Sequence, residues 1–266
     1  MNFGAKWVNT SKTTRKHLFI PDCQIKPGDD LAFLSWVGKY AVDHKPDVII
    51  CGGDFADMQS LSSYDVGKKS FEGRKYIDDI DSAREAMDWL MIPIIKEQVR
   101  LQENKKKRWK PHMVFTLGNH ENRINKAIET DRKLEGLISV DDLCYNEYWG
   151  VVPFLEPIVI DGVMYIHYLP SGVMDRPVTS ARMLIAKGHM SCVVGHQQGR
   201  DVAYGKRADG KRITAIMSGS CYEHEEEYIS KIGNKHWRGI VMLNEVCDGE
   251  FDEMFVSLDY LRRKYS

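Results

Sequence analysis

The chain lacks the patterns that mark secreted, membrane-spanning and disulfide-stabilised proteins. Its six cysteines show no CxxC spacing, and several lie inside apolar runs, as buried thiols do. Residues 1–16 are polar and contain no apolar signal core, and no stretch approaches the roughly 18 apolar residues that a membrane span needs. These absences argue against a membrane protein and predict an unexported protein of a reducing cytoplasm.

Linkers and a dominant charge are missing as well. No segment rich in Pro, Gly and Ser divides the 266 residues, 43% of which are hydrophobic, so we expect one domain over residues 1–266 with one large core. The formal net charge is −1, which gives no global electrostatic reason for a polyanionic partner. Composition therefore neither implies nor excludes a nucleic acid.

Polar clusters recur directly after short apolar runs. The four clusters are Asp22-Cys23-Gln24, Gly53-Asp54-Phe55-Ala56-Asp57, Gly118-Asn119-His120-Glu121 and Gly195-His196-Gln197-Gln198. Each preceding run is typical of a buried strand. Because parallel strands bring their carboxyl ends to one edge of a sheet, we expect the clusters to lie close together.

The spacing of apolar residues predicts helices between these strands. Residues 29–44 carry apolar side chains at near-helical spacing, which predicts a strand–helix–strand unit with neighbouring parallel strands. Residues 75–104 form the longest helical pattern, with a kink expected at Pro93, and should cover one face of the sheet. The first half of the chain is therefore predicted to be α/β.

The second half has shorter apolar runs joined by tight turns. Asp-Gly pairs at 161–162, 209–210 and 248–249 are each flanked by segments with apolar residues, a pattern that predicts hairpins. The sequence therefore predicts a mostly antiparallel β structure after the α/β half.

The ordered set of clusters resembles the calcineurin-like phosphoesterase superfamily. The order is Asp, Gly-Asp-x-x-Asp, Gly-Asn-His-Glu, a single His and Gly-His, and the resemblance extends from residue 17 to the end. One cluster alone would be weak evidence, whereas the ordered set is strong. The resemblance implies a two-sheet β-sandwich flanked by helices, α/β with α+β character in the second half, with a metal site at the strand C-terminal ends. It also implies a metal-dependent hydrolase of phosphoester bonds.

The resemblance implies two divalent cations that share a bridging carboxylate. The first cation would bind Asp22, Gln24, Asp54 and Gln198, and the second would bind Asp54, Asn119, His167 and His196. His167 is chosen because the apolar run 163–166 presents it, and His189 is a rival for one histidine position.

The two glutamines depart from the family, which usually has His where this chain has Gln24 and Gln198. Both changes fall on the first cation. An amide oxygen is a harder ligand than imidazole, so this site would be all oxygen and would favour Mn²⁺, Mg²⁺ or Ca²⁺ over Zn²⁺. We expect Mn²⁺ as the preferred cation, with Fe²⁺ among the alternatives, and weaker binding than at the second site. The opposing interpretation is a catalytically impaired metal-binding homologue.

The resemblance also implies roles for residues beside the ligands. His120 would protonate the leaving oxygen as general acid, and Asp57 would accept the other ring N–H of His120. A hydroxide that bridges the cations would be the nucleophile. Arg123 could contact a substrate phosphate, although a solvated helix position explains it equally well.

A narrower resemblance is to metallophosphoesterases of tailed bacteriophages. It rests on Gly-Asn-His-Glu-Asn-Arg, Ser-Cys-Val-Val-Gly-His, His-Trp-Arg-Gly-Ile-Val and the tail Val-Ser-Leu-Asp-Tyr-Leu-Arg-Arg-Lys. Proteins of that group are described as phosphatases or as DNA-repair-type nucleases. We therefore expect a phosphodiesterase that acts on a nucleotide or a nucleic acid in the host cytoplasm, with no membrane partner and with the oligomeric state left open. A phosphomonoesterase is the alternative.

Overall fold

The computed structural model describes residues 6–8, 13–63, 67, 69–226 and 232–266. Within these ranges the strands form two six-stranded sheets and one small two-stranded sheet. The helices are α1 (Ala32–His44), α2 (Tyr76–Glu103), α3 (Arg123–Thr130), α4 (Ala181–Gly188) and α5 (Leu258–Tyr265). None of these helices combines the length and the hydropathy that a membrane span requires.

The first sheet contains the predicted parallel strands. Its order is β14 (Glu250–Ser257), β13 (Gly239–Cys247), β2 (Arg15–Ile20), β3 (Val48–Cys51), β4 (His112–Thr116) and β5 (Gly150–Val152). Strands β2 to β5 are parallel, whereas β13 and β14 run antiparallel to their neighbours. The predicted strand–helix–strand unit is confirmed, since α1 connects β2 to its parallel neighbour β3.

The second sheet contains most of the later strands. Its order is β1 (Lys6–Val8), β6 (Ile158–Ile160), β7 (Val163–Ile166), β10 (Cys192–Val194), β12 (Arg212–Ser218) and β11 (Arg200–Lys206), while β8 (Pro170–Ser171) pairs with β9 (Arg176–Pro177). All three predicted hairpins are confirmed, as β6–β7, β11–β12 and β13–β14. The expectation of a mostly antiparallel half is wrong at the centre of this sheet, where β7, β10 and β12 are parallel. The reason is α4, which returns the chain between β7 and β10.

The two sheets pack face to face, with helices on their outer faces. In β3, Val48 and Ile50 belong to the core between the sheets, whereas Ile49 and Cys51 pack with the helices. This alternation follows from the two-residue period of a strand. Helices α1, α2 and α5 cover the first sheet, and α4 covers the second. The predicted sandwich flanked by helices is therefore confirmed, while the expectation of one domain stays a prediction.

The register of the parallel strands brings their ends to one edge. Ile20 lies opposite Cys51, and Cys51 lies opposite Phe115. In the second sheet Ile166 lies opposite Val194. The loops that follow these strands carry the polar clusters of the sequence.

Helices α1 and α2 approach each other closely at Gly38. A Cβ on Gly38 would lie 2.5 Å from the carbonyl oxygen of Leu90 and 3.0 Å from Cγ of Pro93, through which α2 runs unbroken. We expect Gly38→Ala to lower the free energy of unfolding by about 1–2 kcal/mol, because the overpacking penalty exceeds the gain in helix propensity. Urea denaturation followed by circular dichroism measures this change. Gly150→Ala is the control, since a Cβ there meets no atom closer than 3.5 Å, and equal stabilities of the two variants would contradict the expectation.

Candidate metal centre

Four predicted ligands of the second cation converge at the shared edge of the sheets. Asp54 follows β3, Asn119 follows β4, His167 follows β7 and His196 follows β10. Nε2 of His167 lies 3.2 Å from Oδ2 of Asp54 and 3.1 Å from Oδ1 of Asn119, and Nδ1 of His196 lies 2.8 Å from Oδ1 of Asn119. Ligands about 2.1 Å from a cation and at right angles to each other lie about 3 Å apart. The observed spacing therefore fits a divalent cation.

Hydrogen bonds fix which atoms point into this group. Nδ1 of His167 donates to the carbonyl oxygen of Gly52 at 2.7 Å, which turns Nε2 towards Asp54 and Asn119. Oδ1 of Asp54 accepts from the backbone N–H of His120 at 2.8 Å, which leaves Oδ2 to face His167. Such partners orient metal ligands in proteins. The donor set is thus aligned by bonds to the backbone.

The group has strongly shifted protonation equilibria. Burial works to raise the pKa of Asp54, but the positive charges of His120 and His167 hold it well below its usual range. Burial opposes protonation of His167, yet the Asp54 carboxylate raises the pKa of His167 to about 9. Burial and the charge of His167 lower the pKa of His196 to about 4. The Asp54 carboxylate therefore stabilises positive charge at His167, whereas His196 is neutral at neutral pH, the form of imidazole that binds a cation.

The backbone around the site adopts an uncommon conformation. Gln24, Asp54 and His196 have φ angles of 45°, 49° and 66°, which lie in the left-handed region. Such residues are uncommon outside glycine and cluster at functional sites. A Cβ on Gly118 would overlap the side chain of Asp54, so only glycine allows this approach of the two loops.

The predicted ligands of the first cation are arranged differently. They form the first group, which consists of Asp22, Gln24, Asp54 and Gln198. Asp22 is fully buried, and burial raises its pKa to about 7. Its Oδ1 accepts from the backbone N–H of His196 at 2.9 Å, and its Oδ2 accepts from the amide nitrogen of Gln198 at 3.3 Å. The buried Gln24 donates its backbone N–H to the carbonyl oxygen of Asp54 at 2.8 Å. Because Gln198 turns a donor towards Asp22, the group as arranged does not fit a cation. The predicted role of Gln198 as an oxygen ligand requires its amide to rotate.

The predicted catalytic side chains lie beside the second group, which is the ligand set of the second cation, Asp54, Asn119, His167 and His196. Nδ1 of His120 is 2.6 Å from Oδ1 of Asp57, and Nε2 is 3.7 Å from Oδ2 of Asp54. Burial disfavours protonation of His120, but the carboxylates of Asp54 and Asp57 together raise its pKa. Arg123 donates to the carbonyl oxygen of Asp57 at 2.6 Å and lies 3.3 Å from Nε2 of His120. Arg123 therefore packs against the site rather than extending from a helix into solvent.

A sequence profile of the calcineurin-like phosphoesterases matches residues 16–219, which include every predicted site residue. The chain belongs to the calcineurin-like phosphoesterase family. It is therefore a hydrolase that acts on phosphoester bonds. The narrower resemblance to bacteriophage proteins stays a prediction.

Two solved structures align with most of this phosphoesterase but share little sequence with it. A dimetal phosphatase from Danio rerio is 10% identical, and the alignment covers 93% of this chain and 100% of the other, with a TM-score of 0.40. A second crystal structure is 11% identical, with coverage of 92% and 100% and a TM-score of 0.35. A search of curated protein sequences finds no match.

Sequence reasoning gave no role to Glu121, which organises the loops of this phosphoesterase. Its buried carboxylate accepts four backbone N–H groups at 2.8–3.1 Å, those of Asp54, Phe55, Ala56 and Gly118. One feature of the sequence could have indicated this role. Glu121 is an acidic residue next to a loop that follows a strand, and the buried backbone N–H groups of such loops need an acceptor.

Lys26 is a further residue near the site that the sequence did not indicate. Nζ of Lys26 lies 2.7 Å from Oε2 of Glu226 and 3.8 Å from Oδ2 of Asp57, a contact between segments 200 positions apart that no sequence pattern indicates.

His189 ends α4 in the left-handed conformation, and it is absent from the compact ligand group of Asp54, His167 and His196 within the described ranges. The rival assignment of His189 therefore has no support.

Proposed function

We propose that this phosphoesterase hydrolyses phosphodiesters of nucleotides or nucleic acids at the second group. Asp54, Asn119, His167 and His196 would hold a divalent cation, with Mn²⁺ preferred, and His120 would act as general acid. The observation that carries this proposal is the convergence of four ligand atoms beside a histidine whose Nδ1 contacts a carboxylate. The donors are two oxygens and two imidazole nitrogens, a set that Mn²⁺ accepts.

Each residue of the group contributes a separate part of the chemistry. A divalent cation, when bound, supplies positive charge that polarises phosphoryl oxygens and makes water more acidic. Asp57 contacts Nδ1 of His120 at 2.6 Å, which leaves Nε2 to face the group and to donate a proton to the leaving oxygen. Arg123, whose Nη2 is 3.3 Å from Nε2 of His120, is near enough to the site to contact an oxygen of the phosphate.

The ion pairs of the nearby Arg and Lys side chains favour a diester substrate over a monoester substrate. Arg123 is paired with Asp57, and Lys26 is paired with Glu226 and approaches Asp57. A monoester carries close to two negative charges at neutral pH, and a diester carries one. Since carboxylates already offset both side chains, the singly charged substrate suits the surroundings better.

An aromatic pair beside the histidine ligands favours a nucleoside substituent. The ring centroid of Tyr168 lies 4.7 Å from that of His196, and the ring of Phe154 lies 5.6 Å from that of Tyr168. Both aromatic side chains are partly exposed. Aromatic faces stack on bases with about 1–3 kcal/mol per base and with little sequence preference.

Hydrolysis of bis-p-nitrophenyl phosphate and of p-nitrophenyl phosphate tests the diester proposal. We expect the Mn²⁺-loaded protein to have the higher kcat/KM for the diester. A higher value for the monoester would instead indicate a phosphatase and would contradict the proposed substrate class.

Replacement of His120 tests the assignment of the general acid. We expect His120→Ala to lower kcat about 10²–10⁴-fold for a dinucleoside phosphate, whose leaving alkoxide needs a proton, and much less for bis-p-nitrophenyl phosphate. Steady-state kinetics on both substrates measures the difference, with Mn²⁺ binding unchanged. His112→Ala, at the start of β4, is the histidine control. An equal loss on both substrates would assign His120 a role other than proton donation.

A further inference from the structure

The side chain of Gln198 presents its donor, not its acceptor, to the first group. Its Nε2 lies 3.3 Å from Oδ2 of Asp22 and 3.5 Å from the carbonyl oxygen of His196. Its Oε1 accepts from the hydroxyl of Tyr222 at 2.8 Å. An amide binds a cation through oxygen only, so this orientation opposes a cation beside Asp22.

The orientation of Gln198 follows from a chain of hydrogen bonds behind it. Nδ1 of His236 donates to the carbonyl oxygen of Gly233 at 2.8 Å, so Nε2 of His236 is an acceptor. The hydroxyl of Ser220 donates to this Nε2 at 2.7 Å, whereas that of Tyr222 is 3.4 Å away. The single proton of Tyr222 is therefore directed to Oε1 of Gln198, and the amide nitrogen must face Asp22.

Packing holds Tyr222 in position. The side chain is fully buried, and its ring stacks on that of His224 with centroids 4.4 Å apart and planes inclined by 13°. The guanidinium carbon of Arg238 lies over the ring of Tyr222, 4.7 Å from the ring centroid. Tyr222 also lies outside the residues that match the family profile, which end at residue 219. Tyr222 is thus a donor that its neighbours hold in place.

We infer that Tyr222 controls cation binding at the first group. By donating to Gln198 it holds the amide nitrogen against Asp22, so the protein binds one cation tightly at the second group. A further cation binds only when the Gln198 amide rotates and breaks its bond to Tyr222. This inference rests on the proposed cation site formed by Asp54, Asn119, His167 and His196.

Titration of the metal-stripped protein with Mn²⁺ tests the inference. Isothermal titration calorimetry, with the electron paramagnetic resonance of unbound Mn²⁺ as a second readout, should give one tight and one weak step in the wild type. Tyr222→Phe removes the donor and should tighten the weak step about tenfold, because one hydrogen bond no longer opposes rotation. The tight step should not change.

Two further variants test whether the change in the weak step comes from the contact between Tyr222 and Gln198. Gln198→Glu has no amide donor and should also tighten the weak step by about tenfold or more. Tyr204→Phe removes a hydroxyl from a side chain that is 63% exposed and should leave both steps unchanged. Circular dichroism checks that each variant is folded.

The outcomes separate this inference from the proposed function. Two equally tight cations in the wild type, or a weak step that Tyr222→Phe does not tighten even if Gln198→Glu does, would overturn the control by Tyr222 while leaving the second group intact. Absence of the tight step in the wild type would overturn the proposed function and this inference together.

Discussion

Asp54→Asn should eliminate tight cation binding and lower kcat/KM for diesters by about 10³-fold or more. Asp54 is the predicted ligand shared by both groups, and its Oδ2 faces Nε2 of His167 at 3.2 Å. The amide removes the negative charge that balances a cation in a buried setting, and the loss of a polarising charge from an active site is among the largest catalytic effects. The substitution keeps an oxygen that can accept the backbone N–H of His120, so we expect the fold to persist.

The measurement combines steady-state kinetics with the number of Mn²⁺ ions bound per chain. Asp175→Asn is a matched control, because Asp175 is also an aspartate with positive φ, at 48°, but is exposed. Asparagine tolerates this conformation at both positions. The control should keep full activity and full cation binding. Wild-type turnover by Asp54→Asn would remove Asp54 from the proposed site.

Glu121→Ala should lower the free energy of unfolding by about 3–5 kcal/mol. The carboxylate accepts four backbone N–H groups, and alanine leaves all four buried without that partner. Each unsatisfied buried donor costs about 1–3 kcal/mol, and the relief of burying a charged carboxylate offsets part of the sum. For a chain of this size the change corresponds to a fall in Tm of about 10 °C.

Thermal and urea denaturation of the metal-stripped protein test this expectation without a contribution from bound cations. Glu129→Ala is the control, since Glu129 is exposed on α3, close to the same loops in sequence. The control should change stability by less than about 0.5 kcal/mol. If Glu121→Ala and Glu129→Ala were equally stable, the loops would not depend on the Glu121 carboxylate.

Local patterns predicted the positions of the site residues but not their orientations. Strand ends before Asp22, Asp54, Asn119 and His196 are visible in the sequence because each follows an apolar run. The side-chain rotation of Gln198 depends on Tyr222 and on the protonation of His236, and neither follows from spacing. The parallel centre of the second sheet was missed because α4, which connects β7 to β10, has only eight residues, whereas α1 has 13. So short a helix gives too little periodic pattern to reveal a crossover between parallel strands.

The most direct test of the central claim is Mn²⁺ titration of the metal-stripped protein, with bound Mn²⁺ and hydrolysis of bis-p-nitrophenyl phosphate measured in the same samples. The proposed site predicts no turnover without a cation, and turnover that rises in proportion to occupancy of the tight site. It also predicts that tight Mn²⁺ binding and turnover are both lost when His167 and His196 are replaced by alanine. Turnover that persists in a chelator, or that survives the double replacement, would contradict the claim that these histidines hold the cation required for phosphodiester hydrolysis.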